Sequence, residues 1–184
     1  MLDRAGKTLN VLACVCLLSM AALPCRADWR PAIADARLLG SGAFSWFGVT
    51  LYNARLWSPA TGFAWDQPFA LELTYRRALS RDTLVKASVD EMRRLGGREL
   101  GPATLERWTH IMETAFVDVR PGMRITGVYL PGRGCRFYVD DQLRREIDDV
   151  AFARAFFAIW LDPQARDPQL RQQLLGMSGD GRGG

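Results

Sequence analysis

One short run of residues constrains the kind of sheet that this chain can form. Over residues 69–76, every second side chain is large and apolar, and the intervening positions hold Ala70, Glu72, Thr74 and Arg76. A period of two is typical of a β-strand with one face buried and the other in solvent. The sequence therefore predicts a sheet that is covered on one face.

The other segments follow in the order strands, helices, strands, helices. The patterns predict strand character over residues 37–57 with a bulge or bend at Gly48, helices over residues 80–96 and 102–116, a three-stranded meander over residues 125–147, and helices that begin after Asp149 and Asp167. This order lacks the strict alternation that a parallel, doubly wound sheet requires. It favours an α+β fold, an antiparallel sheet with helices packed on one face.

The first 27 residues have the pattern of an export signal. Arg4 and Lys7 precede a 13-residue apolar run, residues 11–23, and the small residue Ala27 follows. The run is shorter than the ~20 residues of a membrane-spanning helix. We expect cleavage after Ala27, a periplasmic protein with no integral membrane segment, a domain over residues 28–176 and a disordered Gly-rich tail over residues 177–184.

Charge and cysteine content exclude several classes of protein. The predicted signal holds three of the 24 basic and one of the 20 acidic side chains, so the remaining domain is close to neutral. This balance lacks the excess of basic side chains that nucleic-acid-binding proteins usually carry. Three of the four cysteines lie in the signal, so Cys135 has no partner for a disulfide and is expected to be a buried small hydrophobic residue.

Common catalytic and cofactor signatures are missing from the sequence. His110 is the single histidine, which excludes a zinc site built from several histidines. The glycines of residues 40–42 and 132–134 lack the context of a phosphate-binding loop. The acidic pairs at residues 140–141 and 148–149 are interpreted as turn and helix-cap residues. We predict neither a metal nor a cofactor.

A few aromatic and polar side chains stand out as candidates for a ligand site. Six tryptophans and nine phenylalanines could form core or line a pocket for an apolar ligand. Arg55 and Glu91 lie among apolar neighbours, so if they point inward they need each other, as a structural ion pair, or a ligand. The predicted ligand-binding set is Trp46, Tyr52, Arg55, Tyr75 and Glu91.

The sequence resembles the chalcone isomerase-like proteins, in particular their exported bacterial branch, in several short segments that occur in the same order as in that family. They are Gly40-Ser41-Gly42, Trp46-Phe47-Gly48, residues 51–57, residues 71–75, Glu91-Met92, Phe152, residues 156–161 and residues 170–176. The resemblance implies an open-faced β-sandwich with a cleft between sheet and helices. Plant enzymes of the family close chalcones into flavanones in that cleft, using an arginine and hydroxyl groups, whereas related members bind fatty acids without isomerase activity.

This sequence departs from the catalytic pattern of the family. Ala43-Phe44 stands where the enzymes carry an arginine, and Phe47 stands where they carry a threonine. We therefore predict binding of a small apolar or amphipathic ligand without chemistry. Two alternatives stay open: an isomerase or lyase acting on an enone, with Arg55 as electrophile and Tyr52 or Tyr75 as proton partner, and a structural or partner-docking protein with no ligand.

Overall fold

A six-stranded antiparallel sheet forms the centre of the protein. The structure is a computed structural model that describes residues 28–177; the predicted signal and residues 178–184 of the predicted tail lie outside the described residues. Each strand pairs with the next in sequence, so the order in the sheet is the order in the chain. The strands are β1 (Arg37–Trp46), β2 (Val49–Ser58), β3 (Phe69–Tyr75), β4 (Arg124–Leu130), β5 (Gly134–Val139) and β6 (Gln142–Ile147).

Four α-helices complete the α+β architecture that the sequence predicts. They are α1 (Arg81–Gly96), α2 (Pro102–Ala115), α3 (Val150–Leu161) and α4 (Pro168–Leu174), with 3₁₀ turns at Arg30–Ala32 and Gly97–Glu99. Side chains of Ser80, Asp149 and Asp167 accept a backbone N–H in the first turn of α1, α3 and α4. These caps satisfy donors that the helix itself leaves free, and they explain why the helices begin there.

The segment predicted as one bent strand is a β-hairpin. Phe47 and Gly48 join β1 to β2 with φ angles of 46° and 76°. Two consecutive residues with positive φ form the tight turn whose twist matches an antiparallel hairpin. Gly48 alone indicated a bend, because a phenylalanine rarely adopts this backbone conformation and hides the turn in the sequence.

The two faces of the sheet are covered very differently. On the inner face, the helices pack against the sheet over a core whose largest fully buried members include Phe69, Phe137, Phe152 and Phe157. The outer face carries a small cluster in which Trp29 and Ile33 pack against Ala70, Val128, Leu130 and Tyr138. The prediction that the second face of β3 lies in solvent is therefore wrong, because Ala70 and Glu72 are buried there. The fold is therefore an open-faced sandwich with its main interior on the helical side.

The last helix packs tightly against the first strand at a glycine. A Cβ atom on Gly40 would lie 2.1 Å from the backbone oxygen of Gln173 and 2.6 Å from that of Leu174. No side chain fits in that space, so β1 and α4 can approach this closely because residue 40 is glycine. This contact fixes α4 beside the cavity described next.

Candidate functional site

A cavity of about 390 Å³ lies between the inner face of the sheet and helices α1, α3 and α4. Most of its wall is apolar, formed by Phe44, Trp46, Leu51, Leu73, Leu79, Leu84, Ala87, Phe116, Ile125, Phe156, Ile159 and Leu170. The polar side chains of the wall are Tyr52, Tyr75, Thr83, Ser88, Asp90, Glu91, Trp160, Arg166 and Asp167. A mostly apolar cleft with a small number of polar groups is the usual form of a small-molecule site.

An irregularity in the hairpin aims two neighbouring residues of β2 at the cavity. The pairing of β1 with β2 shifts register after Phe44. Phe44 lies opposite Tyr52, whereas the next residue, Ser45, lies opposite Thr50. The extra residue on β2 is Leu51. A bulge of this kind interrupts the strict alternation of side chains, and Leu51 and Tyr52 both line the cavity.

Two tyrosines meet inside the cavity. The rings of Tyr52 and Tyr75 are 5.9 Å apart in an edge-to-face arrangement, and the indole N–H of Trp160 donates to the Tyr52 hydroxyl oxygen over 2.9 Å. Burial raises the pKa of both phenols above the ordinary value, and for Tyr52 it outweighs the hydrogen bond from Trp160. Both hydroxyls therefore stay protonated at neutral pH and can donate a hydrogen bond.

A buried carboxylate of the cavity wall binds two guanidinium groups, of which that of Arg166 also lines the cavity. Glu91 is 5% exposed, and one of its oxygens accepts from two guanidinium nitrogens of Arg94 at 2.5 and 2.9 Å. Its other oxygen accepts from Nε of Arg166 at 2.9 Å and lies 2.8 Å from Nη2 of the same guanidinium in an ion pair. Burial alone would raise the pKa of Glu91, but these hydrogen bonds outweigh it and lower the pKa. Arg94 also donates to the carbonyl oxygen of Gln164 at 2.7 Å, so the cluster joins α1 to the α3–α4 loop.

Arg166 is a charged residue of the cavity wall that the sequence analysis did not predict. It lies in the loop before α4, where one arginine among several loop residues gives no pattern to recognise. The available signal was Glu91, since a carboxylate on the buried side of a helix needs a cation close by. The sequence could indicate that such a partner exists, but not which arginine supplies it.

Arg55 lies on the outer face of the sheet, away from the cavity. Alternation along β2 turns Ala54 and Leu56 to the buried inner face, so Arg55 points to the opposite side. Its guanidinium is 3.6 Å from the buried carboxylate of Glu72, the residue opposite it on β3. The ion pair considered between Arg55 and Glu91 is therefore wrong, because each residue has a different partner.

The structure thus gathers four of the five predicted ligand-binding residues around one cavity: Trp46, Tyr52, Tyr75 and Glu91. Trp46 is half-exposed and lies where the hairpin meets the cavity. Whether these residues contact a ligand stays a prediction.

The cysteine and the acidic pairs that the sequence analysis considered have contacts that explain them as structural residues. Cys135 is buried, and that burial raises the pKa of its thiol. Asp149 caps α3 and also accepts from the indole N–H of Trp108 at 3.0 Å, whereas Asp140 and Asp141 form a turn with positive φ. Within residues 28–177 there is no cluster of three side chains that could hold a metal ion, and no helix there is long and apolar enough to cross a membrane.

A sheet with helices on one face and a cavity between the layers is the arrangement that the resemblance to chalcone isomerase-like proteins implies. The family model described as chalcone isomerase-like matches residues 35–176. The chain belongs to this family, which confirms the resemblance in the sequence.

The chain is similar to one further protein in sequence and to one solved structure in fold. An uncharacterized protein of Haemophilus influenzae is 25% identical over 151 residues, which cover 82% of this chain and 69% of that protein. The crystal structure of a fatty-acid-binding protein of Arabidopsis thaliana superposes with a TM-score of 0.59 at 13% identity, covering 80% of this chain and 91% of that one. At this level of identity, the second similarity shows the fold.

Proposed function

We propose that this protein is exported to the periplasm and binds a small apolar or amphipathic molecule in the cavity without transforming it. The observation that carries the proposal is the 390 Å³ space walled by aromatic and aliphatic side chains. It falls within the ~300–1,000 Å³ typical of ligand sites. A ligand that fills it removes apolar surface from water, which is the main source of affinity in such a site.

The polar groups of the cavity favour a ligand with one oxygen-bearing end. Tyr52 and Tyr75 are both protonated and lie in contact with each other, surrounded by apolar side chains. Two neutral donors suit a carbonyl, ether or carboxyl oxygen better than a cation. The similar fold of the Arabidopsis thaliana fatty-acid-binding protein supports a ligand with a long apolar part.

The surroundings of Arg166 support binding without chemistry. Closure of an enone needs a donor aimed at the enolate oxygen that develops in the reaction. Arg166 is an arginine of the cavity wall, but its Nε donates to Glu91 and its guanidinium forms an ion pair with that carboxylate. The isomerase alternative built on Arg55 loses its electrophile, because Arg55 faces the outer side of the sheet.

Native mass spectrometry of the protein purified from its own periplasm tests the proposal. We expect an N-terminus at Asp28 and an additional mass that is lost on transfer to organic solvent. A protein of bare mass from the native host would contradict ligand binding. Turnover of a chalcone that is abolished in Arg166→Gln would contradict the non-catalytic part of the proposal.

A further inference from the structure

The tip of the β1–β2 hairpin is the most exposed apolar feature of the described chain. Phe47 is 91% exposed, and its neighbours Trp46 and Val49 are 49% and 41% exposed. Phe47 also occupies a backbone conformation with φ 46° that favours glycine or asparagine. An aromatic residue there costs conformational energy and is not buried by any part of residues 28–177, which points to a contact outside the described fold.

The shape and charge of this hairpin fit a lipid surface. Residues 38–54 contain no charged side chain, so insertion of the tip would desolvate no ion. The tip projects as a tight two-residue turn with the Trp46 and Phe47 rings 5.2 Å apart, edge to face. Tryptophan is enriched at the level where lipid headgroups meet acyl chains. A projecting, uncharged hairpin tip can therefore insert into the headgroup region of a bilayer.

Two arginines lie beside the hairpin on the adjacent strand end. The backbone N–H of Arg76 donates to the carbonyl oxygen of Leu51 at 2.8 Å, and Arg77 follows; both side chains are exposed. Neither forms a salt bridge within residues 28–177, and the guanidinium of Arg76 lies beside the neutral side-chain amide of Asn53. Leu51 is four residues from Phe47, about 13 Å along an extended strand. Both arginines can therefore approach phosphate groups when the tip enters the acyl boundary.

The same hairpin forms part of the cavity. Trp46 and Leu51 line the cavity, and so do Tyr75 and Leu79, which flank the two arginines in sequence. The exposed tip, the arginines and the cavity therefore lie at one end of the sheet.

We propose that the β1–β2 hairpin tip docks this protein onto an anionic phospholipid bilayer, with Phe47 and Trp46 inserted and Arg76 and Arg77 at the headgroups. Docking in this orientation brings the cavity to the membrane surface, where an amphipathic ligand could pass between bilayer and protein. The passage of a ligand rests on the proposed function, whereas the docking of the hairpin tip does not.

Flotation with vesicles tests the docking. The protein, purified with the same N-terminus in every variant, is mixed with vesicles of phosphatidylcholine alone or with added phosphatidylglycerol. We expect binding to the mixed vesicles, a loss of at least about tenfold in Phe47→Asn because a buried aromatic ring is removed, and a loss of about fivefold for each of Arg76→Gln and Arg77→Gln. Asparagine tolerates the left-handed conformation, so Phe47→Asn keeps the turn.

A matched control uses an exposed apolar residue elsewhere in the sheet. Leu143 on β6 is 46% exposed, and Leu143→Thr should bind vesicles like the wild type. Wild-type protein that ignores both kinds of vesicle, equal binding of wild type and Phe47→Asn, or a dimer in sedimentation that Phe47→Asn dissociates would each overturn the proposal. Native mass spectrometry of Phe47→Asn separates the two proposals, since ligand retention reports on the cavity and flotation on the tip.

Discussion

The indole N–H of Trp160 on α3 donates a hydrogen bond to the hydroxyl oxygen of Tyr52 on β2 over 2.9 Å. This bond joins the helical layer to the sheet across the cavity. Both side chains are partly buried, so water can replace neither partner freely if the other is removed.

Removal of the Tyr52 hydroxyl should destabilise the protein. We expect Tyr52→Phe to lower the free energy of unfolding by about 1–2 kcal/mol, because the Trp160 N–H loses its acceptor. Urea denaturation of Tyr52→Phe, Trp160→Phe and the double variant measures the coupling between the two residues. A coupling energy near zero would show that the bond contributes nothing.

Loss of the Glu91 carboxylate should lower the free energy of unfolding more than loss of the Asp90 carboxylate beside it. Glu91→Gln leaves Arg94 and Arg166 without their shared partner, and we expect a loss of about 2 kcal/mol, moderated because both guanidiniums reach solvent. Asp90→Asn is the matched control, since Asp90 pairs with Lys86 and Arg93 at the surface. Denaturant midpoints that fall equally in the two variants would argue against the buried cluster.

The same cluster predicts a dependence of stability on pH. The pKa of Glu91 is lowered in the folded protein relative to its ordinary value of 4.5. Its contribution is therefore complete above that value and is lost as the pH falls through the folded pKa. We expect wild type and Glu91→Gln to converge in unfolding free energy as the pH is lowered. Parallel curves from neutral to acidic pH would contradict the lowered pKa.

A large side chain at the rim of the cavity should block ligand retention. Ala87 lines the cavity from an exposed position on α1, so Ala87→Phe can fill the opening without disturbing the core. Ala103→Phe makes the same change at an exposed position on α2 that does not line the cavity. We expect the retained mass to disappear in Ala87→Phe and to persist in Ala103→Phe. Equal retention in the two variants would place the ligand elsewhere.

The contact between β1 and α4 should tolerate no side chain at residue 40. Gly40→Ala places a methyl group against the backbone of Gln173 and Leu174, which cannot move aside independently, and we expect a loss of more than about 2 kcal/mol. Gly62→Ala provides the control, because nothing lies within 4 Å of the added atom. Thermal unfolding of both variants checks the difference.

Element types were predictable from the sequence because local patterns determine them. The alternation of residues 69–76 indicated β3, and Ser80, Asp149 and Asp167 marked helix starts that the structure confirms. The hairpin turn escaped prediction because Phe47 is an unusual residue at positive φ. Local sequence carries little information about a conformation that the rest of the fold imposes.

The site was predictable in its residue types but not in its pairings. Tyr52 and Tyr75 could be selected as polar residues among apolar neighbours, and the structure brings their rings together. The partners of Glu91 could not be selected, because Arg166 lies 75 residues further along the chain and meets it through tertiary packing. Arg55 was misplaced since the side of the sheet it occupies depends on the register of β2.

The sequential strand order has a consequence for the way the chain can assemble. Every strand pairs with the next strand of the chain, so the sheet can grow from one end without threading, although α1 and α2 separate β3 from β4 in the sequence. The exception is the packing of α4 on β1, which brings the last element to the first. A polypeptide that ends before Pro168 would lack α4 and leave the Gly40 surface uncovered, so we expect the sheet to keep an exposed apolar edge until α4 has been synthesised and has packed on β1.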